Sequence, residues 1–261
     1  MTTPGELLAL HDAQIRGTIA DRMPHTWTAS WDGPVLRITT PSHGLAFARD
    51  LDDVSGDELD ALIARTRDFF AGRGQPVEWK TYGHDRADLT DRLARAGFAP
   101  DPRETVLVGL ATDLVSAGAA PEGITVRATT DPADLKAIAA MESEVWGADW
   151  SWLAGDLADR IASGPDTIVV LVAETPERQV VSAAWLVLFP GTEFGALWGG
   201  STLAAWRRRG IYRALVAQRA RIAVERGVRY LMVDASDDSR PILERLGLYA
   251  ISTTTPWLWR P

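Results

Sequence analysis

Residues 197–215, LWGGSTLAAWRRRGIYRAL, decide the reading of this chain. An extended, aromatic and β-branched run stops at Trp206. Three arginines and a glycine follow, and an amphipathic helix then begins with no proline or polar break. A strand, a tight basic turn and a helix N-terminus in that order make an anion site. The first-turn N–H groups of a helix have no internal partners, and the macrodipole places about half a positive charge there. Gly210 lets the backbone approach a ligand closely, while Arg207, Arg208 and Arg209 add full charges. Alone, the arginine run reads as a solvated helix start; between a strand and a helix it reads as a pyrophosphate site. Two familiar pyrophosphate loops fail on spacing. An NTPase loop ends in Lys-Ser/Thr, which is absent, and a dinucleotide fingerprint needs three glycines where the turn holds only Gly210.

A third pattern fits. The run Arg207-Arg208-Arg209-Gly210-Ile211-Tyr212 resembles the Arg/Gln-x-x-Gly-x-Gly/Ala loop of the GNAT acyl-coenzyme A N-acyltransferases, with Tyr212 standing where that pattern has a small residue. The surrounding order agrees. Residues 212–226 read as a helix, with Leu215 and Ile222 seven apart, Val216, Ala220, Ala223 and Val224 on a neighbouring stripe, and Gly227 as its stop. The run 228–235 suits a buried strand, 239–246 a helix with Pro241 in its first turn, and 251–259 a last strand. Upstream, 124–127 reads as a strand, 132–146 as a helix, and 167–174 with 180–189 as a hairpin turned around Pro176. The resemblance covers residues 122–261. It implies a mixed α/β sheet of the GNAT acyltransferase type, with acetyl-CoA (coenzyme A) as cosubstrate and no metal.

Composition sets the outer bounds. The 261 residues hold one large or two modest domains, and 46% apolar with 24% charged is ordinary for a globular protein. No apolar run nears eighteen residues, so no membrane association is expected. The start MTTPGELLALHDAQ lacks a basic segment followed by an apolar one, so the expected location is cytoplasmic. The chain has no cysteine, which excludes disulfides, thiolate metal sites and a cysteine acyl-enzyme. Arginine outnumbers lysine 25 to 2, which points to a GC-rich bacterial genome. The net charge of −8 argues against a nucleic-acid partner, because that affinity comes largely from neutralising phosphates.

The first half repeats the same grammar. Strands are read at 35–40, 77–82 and 105–110, with helices at 57–70 and 87–96. PVEWKTYGHDRADLTDRLARAGF and RYLMVDASDDSRPILERLGL both run from a buried strand through an Asp-containing turn to a helix ending Arg-Leu and then glycine. Residues 43–56, HGLAFARDLDDVSG, are net acidic where a pyrophosphate loop would be basic. The expected organisation is therefore a smaller, degenerate GNAT-like domain at 1–115, a linker at 111–122, and one acyl-CoA domain at 122–261. Shared α/β grammar without common descent is the alternative for the two motifs.

The chemistry of acyl transfer requires groups that position amine and thioester, stabilise an oxyanion, take a proton and protonate the thiolate. The resemblance implies that backbone groups of a splayed fourth strand position the reactants and stabilise the oxyanion. By position these lie at Thr202 and Leu203 in the cofactor site, with Gly199-Gly200 as a candidate bulge, and Arg207, Arg208, Arg209, Gly210, Ile211, Tyr212 and Arg213 take the rest of the coenzyme. His11, His25, His43 and His84 all lie in the first half, so a carboxylate is expected as the base. Glu193, just before the fourth strand, is the first choice; Glu142, Glu144 and Asp234 are the others. The tyrosine that many GNAT enzymes place near the thiol falls, by counting back from Gly247, on Leu243. Tyr212 and Tyr249 are the stand-ins for the acid. Trp146 and Trp150, four apart, would share a helical face and box a cationic or apolar amine, or else simply pack in the core.

The expected function is transfer of an acetyl (acyl) group from acetyl-CoA to a primary amine of a small molecule or peptide, by direct attack in a ternary complex. The first domain would shape the acceptor site or make a homodimer contact. A non-catalytic acyl-CoA sensor or interaction module is the alternative, and a structural protein whose loop binds no coenzyme is the third reading.

Overall fold

The computed structural model describes residues 2–23 and 27–261; His25 lies outside them. In chain order the elements begin with helix α1 (Pro4–Gln14) and strands β1 (Thr28–Asp32), β2 (Val35–Thr39) and β3 (Gly44–Ala48). Helix α2 (Gly56–Ala71), β4 (Val77–Tyr82), α3 (Leu89–Arg95), β5 (Ala99–Pro100) and β6 (Glu104–Leu110) follow. Next come α4 (Ala111–Leu114), β7 (Thr125–Thr129), α5 (Pro132–Trp146), α6 (Leu153–Ser163), β8 (Ile168–Glu174), β9 (Val180–Leu188) and β10 (Phe194–Thr202). The chain closes with α7 (Ile211–Glu225), β11 (Tyr230–Ala235), α8 (Arg240–Arg245) and β12 (Tyr249–Trp259). Helices alternate with a sheet of parallel and antiparallel pairs, a mixed α/β fold.

Two compact units result. One comprises Met1–Leu107, Asp234–Pro241 and Ala250–Pro261; the other comprises Val108–Val233 and Ile242–Tyr249. The sequence expectation of a single cut between 1–115 and 122–261 differs from this division. The C-terminal strand belongs to the first unit, where β12 pairs antiparallel with β4 from Thr254–Tyr82 to Trp259–Val77. The segment read as a linker begins with α4, whose Ala111 and Leu114 are buried and whose Ala111 N–H donates to Arg229 O at 2.9 Å.

In the first unit β1, β2 and β3 form an antiparallel meander, and α2 carries the chain to β4, which runs parallel to β3. Ser55 caps α2 by accepting from Glu58 N–H at 3.2 Å, and Asp57 and Glu58 place negative charge in its first turn. Its inward face is Leu59, Leu62, Ile63, Thr66 and Phe70, at helical spacing. Complete burial of a ring such as Phe70 stabilises by about 1.5–3 kcal/mol. Gly44 leaves room for it: a Cβ there would fall 2.1 Å from Phe70 Cε1.

In the second unit β7, β8, β9 and β10 are antiparallel neighbours, and α7 returns the chain to β11, parallel to β10. Helix α5 starts with Asp131 accepting from Ala133 N–H at 2.8 Å and Pro132 in its first turn, and stops at Gly147, with φ of 65°. Strand β9, VVSAAWLVL, is buried at every position but Val187, as a strand covered on both faces must be. Two departures from regularity matter below. The β10–β11 pairing covers only Phe194–Tyr230, Gly195–Leu231 and Ala196–Met232, after which the strands part. The β10–β9 register then shifts between Gly199 and Ser201, a β-bulge. Strand β10 ends at Thr202 rather than Trp206, because a 3-10 turn, Ala204–Trp206, takes the remaining residues.

Among the described residues no helix is long and apolar enough to cross a membrane, and no group of three or more His, Cys, Asp or Glu is arranged to hold a metal ion.

Candidate active site

The basic turn between β10 and α7 is built by its own backbone. Leu203 N–H donates to Val181 O at 3.0 Å, and Arg207 Nε donates to Thr202 O at 3.0 Å, so Arg207 ties the turn back to the strand it leaves. Arg208 adopts φ of 64°, a left-handed conformation that costs a non-glycine residue about 1–2 kcal/mol. The Arg209 guanidinium lies 4.7 Å from the centre of the Trp206 ring. Gly210 is the N-cap residue of α7 with φ of 88°, and no side chain caps the turn that follows. The first internal bond is Ala214 N–H to Gly210 O, at 3.0 Å, which leaves the N–H groups of the first turn pointing outward beside exposed Arg208, Arg209 and Arg213. Ile211 is buried and anchors the helix start. Such an arrangement has the charge and the free N–H groups to cradle an anion.

Beside it, the bulge needs both of its glycines. Gly199 has φ of 68° and Gly200 φ of 95°, and a Cβ on Gly199 would fall 2.5 Å from the Trp185 ring. A Cβ on Gly200 would fall 2.9 Å from Tyr212 Cε2. The Tyr212 ring therefore rests against the bulge, and an aromatic residue fits there because glycine lies beneath it. Burial pushes the Tyr212 hydroxyl above the usual tyrosine range, opposed by the charge of Arg219, so it stays protonated at neutral pH. Thr202 and Leu203 follow the bulge, and part of their backbone is occupied. Leu203 N–H and Thr202 O are already engaged, and Thr202 Oγ1 bonds Ser182 Oγ at 2.8 Å.

Across the bulge stands Glu142, on α5. It is 2% exposed, and its Oε2 accepts from Ser201 Oγ at 2.6 Å and from Trp146 Nε1 at 2.8 Å. Its Oε1 is buried with no hydrogen-bond partner. Burial pushes this carboxyl above the usual range, more strongly than the Ser201 and Trp146 bonds pull it down. A buried carboxylate with one unpaired oxygen is costly to the fold and suited to taking a proton.

Glu193 is elsewhere. It precedes β10 and forms an ion pair with Arg229 at 2.9 Å, at the opposite end of the strand from Ser201. Eight residues at about 3.3 Å each put roughly 25 Å between them. Glu144 is exposed, Tyr249 is 52% exposed, and Leu243 is sealed in the core. Asp234 belongs to the first unit and is ion-paired with Lys80 there.

Trp146 and Trp150 do meet, with centroids 6.4 Å apart, but not on one helical face. Helix α5 ends at Trp146, and the loop turns back at Gly147 so that Trp150 N–H donates to Ser143 Oγ at 3.0 Å. Trp152 stacks on Trp150 at 5.2 Å. Trp146 and Trp152 are 60% and 57% exposed, an aromatic surface beginning at the indole bonded to Glu142. The sequence reading passed over Ser201 and Arg219. The signal for Arg219 was present: a charge between Leu215 and Ile222 on the apolar stripe of α7.

Residues 130–248 match the family model described as Acetyltransferase (GNAT) family. No curated protein matches the chain. Solved structures match along its whole length. A GCN5-related N-acetyltransferase from Kribbella flavida is 16% identical with a TM-score of 0.72, covering 100% of this chain and 96% of that one. A tandem GNAT protein from the clavulanic acid biosynthesis pathway is 14% identical with a TM-score of 0.64, covering 99% and 94%. A GCN5-related N-acetyltransferase from Sphaerobacter thermophilus is 16% identical with a TM-score of 0.63, covering 99% and 94%. At such identities the structures establish a shared fold. The basic turn, the bulge and the parted strands all lie inside the segment, residues 130–248, that matches the GNAT acetyltransferase family model.

Proposed function

We propose that the second unit transfers an acetyl group from acetyl-CoA to a primary amine of a small molecule or peptide, by direct attack in a ternary complex. The observation that carries this reading is Glu142: a buried carboxyl with an unpartnered oxygen, hydrogen-bonded to the residue that follows the β10 bulge. The cradle at Arg208, Arg209, Gly210 and Arg213 takes the pyrophosphate, and the gap between β10 and β11 takes the pantetheine arm. The aromatic surface of Trp146, Trp150 and Trp152 receives the amine's body, where each cation–π contact contributes on the order of 1 kcal/mol.

The step balances within the site. The neutral amine attacks the thioester carbon, forming the C–N bond; Glu142 takes the surplus ammonium proton; the oxyanion collapses and breaks the C–S bond. Tyr212, protonated and against the bulge, supplies a proton to the departing thiolate. The first unit is read as a degenerate GNAT-like half that shapes the acceptor side or makes a homodimer contact. Leu243, buried where many relatives carry the acid, favours binding without turnover as the second reading.

Coenzyme A release across a panel of amines separates the two. Under the first reading Glu142→Gln lowers kcat at least about 100-fold with acetyl-CoA affinity unchanged. Because the base must be ionised, kcat/KM of the wild type rises with pH through a limb above the ordinary carboxylate range, and the variant lacks that limb. Wild-type turnover in Glu142→Gln would remove the base; binding with no release for any amine would establish the second reading.

A further inference from the structure

Arg219 is a buried cation that the mechanism above leaves unused. It sits on α7 with 1% exposure, and among the described residues no carboxylate is paired with it. Its partners are carbonyls. Nε donates to Leu215 O at 3.2 Å, and Nη1 donates to Trp185 O at 3.4 Å and Trp198 O at 3.2 Å. Trp185 and Trp198 face each other on β9 and β10, at the last pair but one before the bulge interrupts the ladder. Burial draws the guanidinium down to about 10, so it remains cationic at neutral pH. An apolar side chain would pack this helix face without the desolvation cost of a charge.

The geometry gives the charge a use. In a trans peptide the carbonyl and the next N–H point in opposite directions. The Trp198 carbonyl shares Arg219 with the Trp185 carbonyl of β9, so the Gly199 N–H turns away from β9, toward the side where pairing with β11 has already ended at Ala196–Met232. A carbonyl that accepts from a cation draws electron density from its own amide, which makes that N–H a stronger donor. We propose that Arg219 is a positioning residue for acyl transfer: it fixes and polarises the Trp198–Gly199 peptide so that Gly199 N–H holds the thioester carbonyl and the oxyanion formed from it. This rests on the acyltransferase reading. As the amine adds, the carbonyl π pair moves onto oxygen, to which Gly199 N–H donates a hydrogen bond; the pair returns to re-form the C=O bond as the C–S bond breaks and the thiolate leaves. Arg219 itself touches neither substrate.

The test is the infrared carbonyl stretch of carbonyl-¹³C acetyl-CoA bound to wild type, Arg219→Lys and Arg219→Met, measured with affinity and kcat. Wild type is expected to shift the stretch to lower frequency. Arg219→Met should lose most of that shift and about 10–100-fold in kcat, with affinity held within about threefold, and Arg219→Lys should recover part of both. If the methionine variant does not fold, Arg219→Gln serves with the same expected loss. A folded methionine or glutamine variant that keeps both the carbonyl shift and kcat overturns the role of Arg219. A wild type that shifts the carbonyl yet acylates no amine defeats the transferase reading while the polarising role stands, and a wild type that binds no acetyl-CoA defeats both.

Discussion

Glu142 and Glu193 show how one residue type is set to different tasks by its surroundings. Glu193 is partly exposed and shares its charge with Arg229, an ion pair in solvent that contributes about 0–1 kcal/mol. Glu142 is enclosed by α5 and β10 and has one oxygen left unpaired. Only the second environment raises a carboxyl's affinity for a proton, which is what a base that must take one from an amine needs. Glu193→Gln is accordingly expected to release coenzyme A at a rate within about twofold of wild type. A tenfold loss in that assay would return the base to the start of β10. The sequence reading weighed both glutamates and preferred the one nearer the fourth strand. What the sequence lacks is the contact across 59 positions that brings Glu142 on α5 to Ser201 beside the bulge.

At the scale of elements, much was legible because short-range patterns dictate it. The reading 132–146 matches helix α5 over its full extent, and 212–226 matches α7 to within one residue at each end. The Gly210 turn was legible because a left-handed helix cap strongly favours glycine. The rest depends on contacts between distant residues. The bulge exists where the Tyr212 ring meets Gly200, twelve positions earlier, and where Arg219 reaches the Trp198 carbonyl. Neither contact has a local signature. Helix α6 was missed although Leu153, Leu157 and Ile161 recur every four residues, because Trp146, Trp150 and Trp152 drew that segment toward a pocket reading. Trp150 joins Trp146 through a loop, so helical spacing gave the right neighbours by the wrong route.

At the scale of the whole chain, the division into units escaped the sequence because strand pairing, not chain order, decides it: β12 closes the first unit by pairing with β4. That unit encloses a charge cluster of its own. Lys80, ion-paired with Asp234, neighbours Glu78 and Glu104, and burial followed by the repulsion of Asp234 pushes Glu104 up from 4.5 to about 7. The folded state thus keeps a proton that the unfolded chain releases between those values, so the contribution of Glu104 to stability is full below about 4.5 and is lost as pH rises toward 7. Thermal unfolding across that window should show a melting temperature that declines with pH, and Glu104→Gln should flatten the decline; an unchanged slope would remove Glu104 as its source. The claim on which everything else depends is that the turn before α7 binds an acyl-CoA pyrophosphate. Isothermal titration of acetyl-CoA into the wild type and into Gly210→Glu tests it most directly, since the substitution places a strained, negatively charged residue at the mouth of the cradle. Micromolar binding by the wild type that is lost in the variant is expected. No binding by the wild type, or equal binding by both, would contradict it.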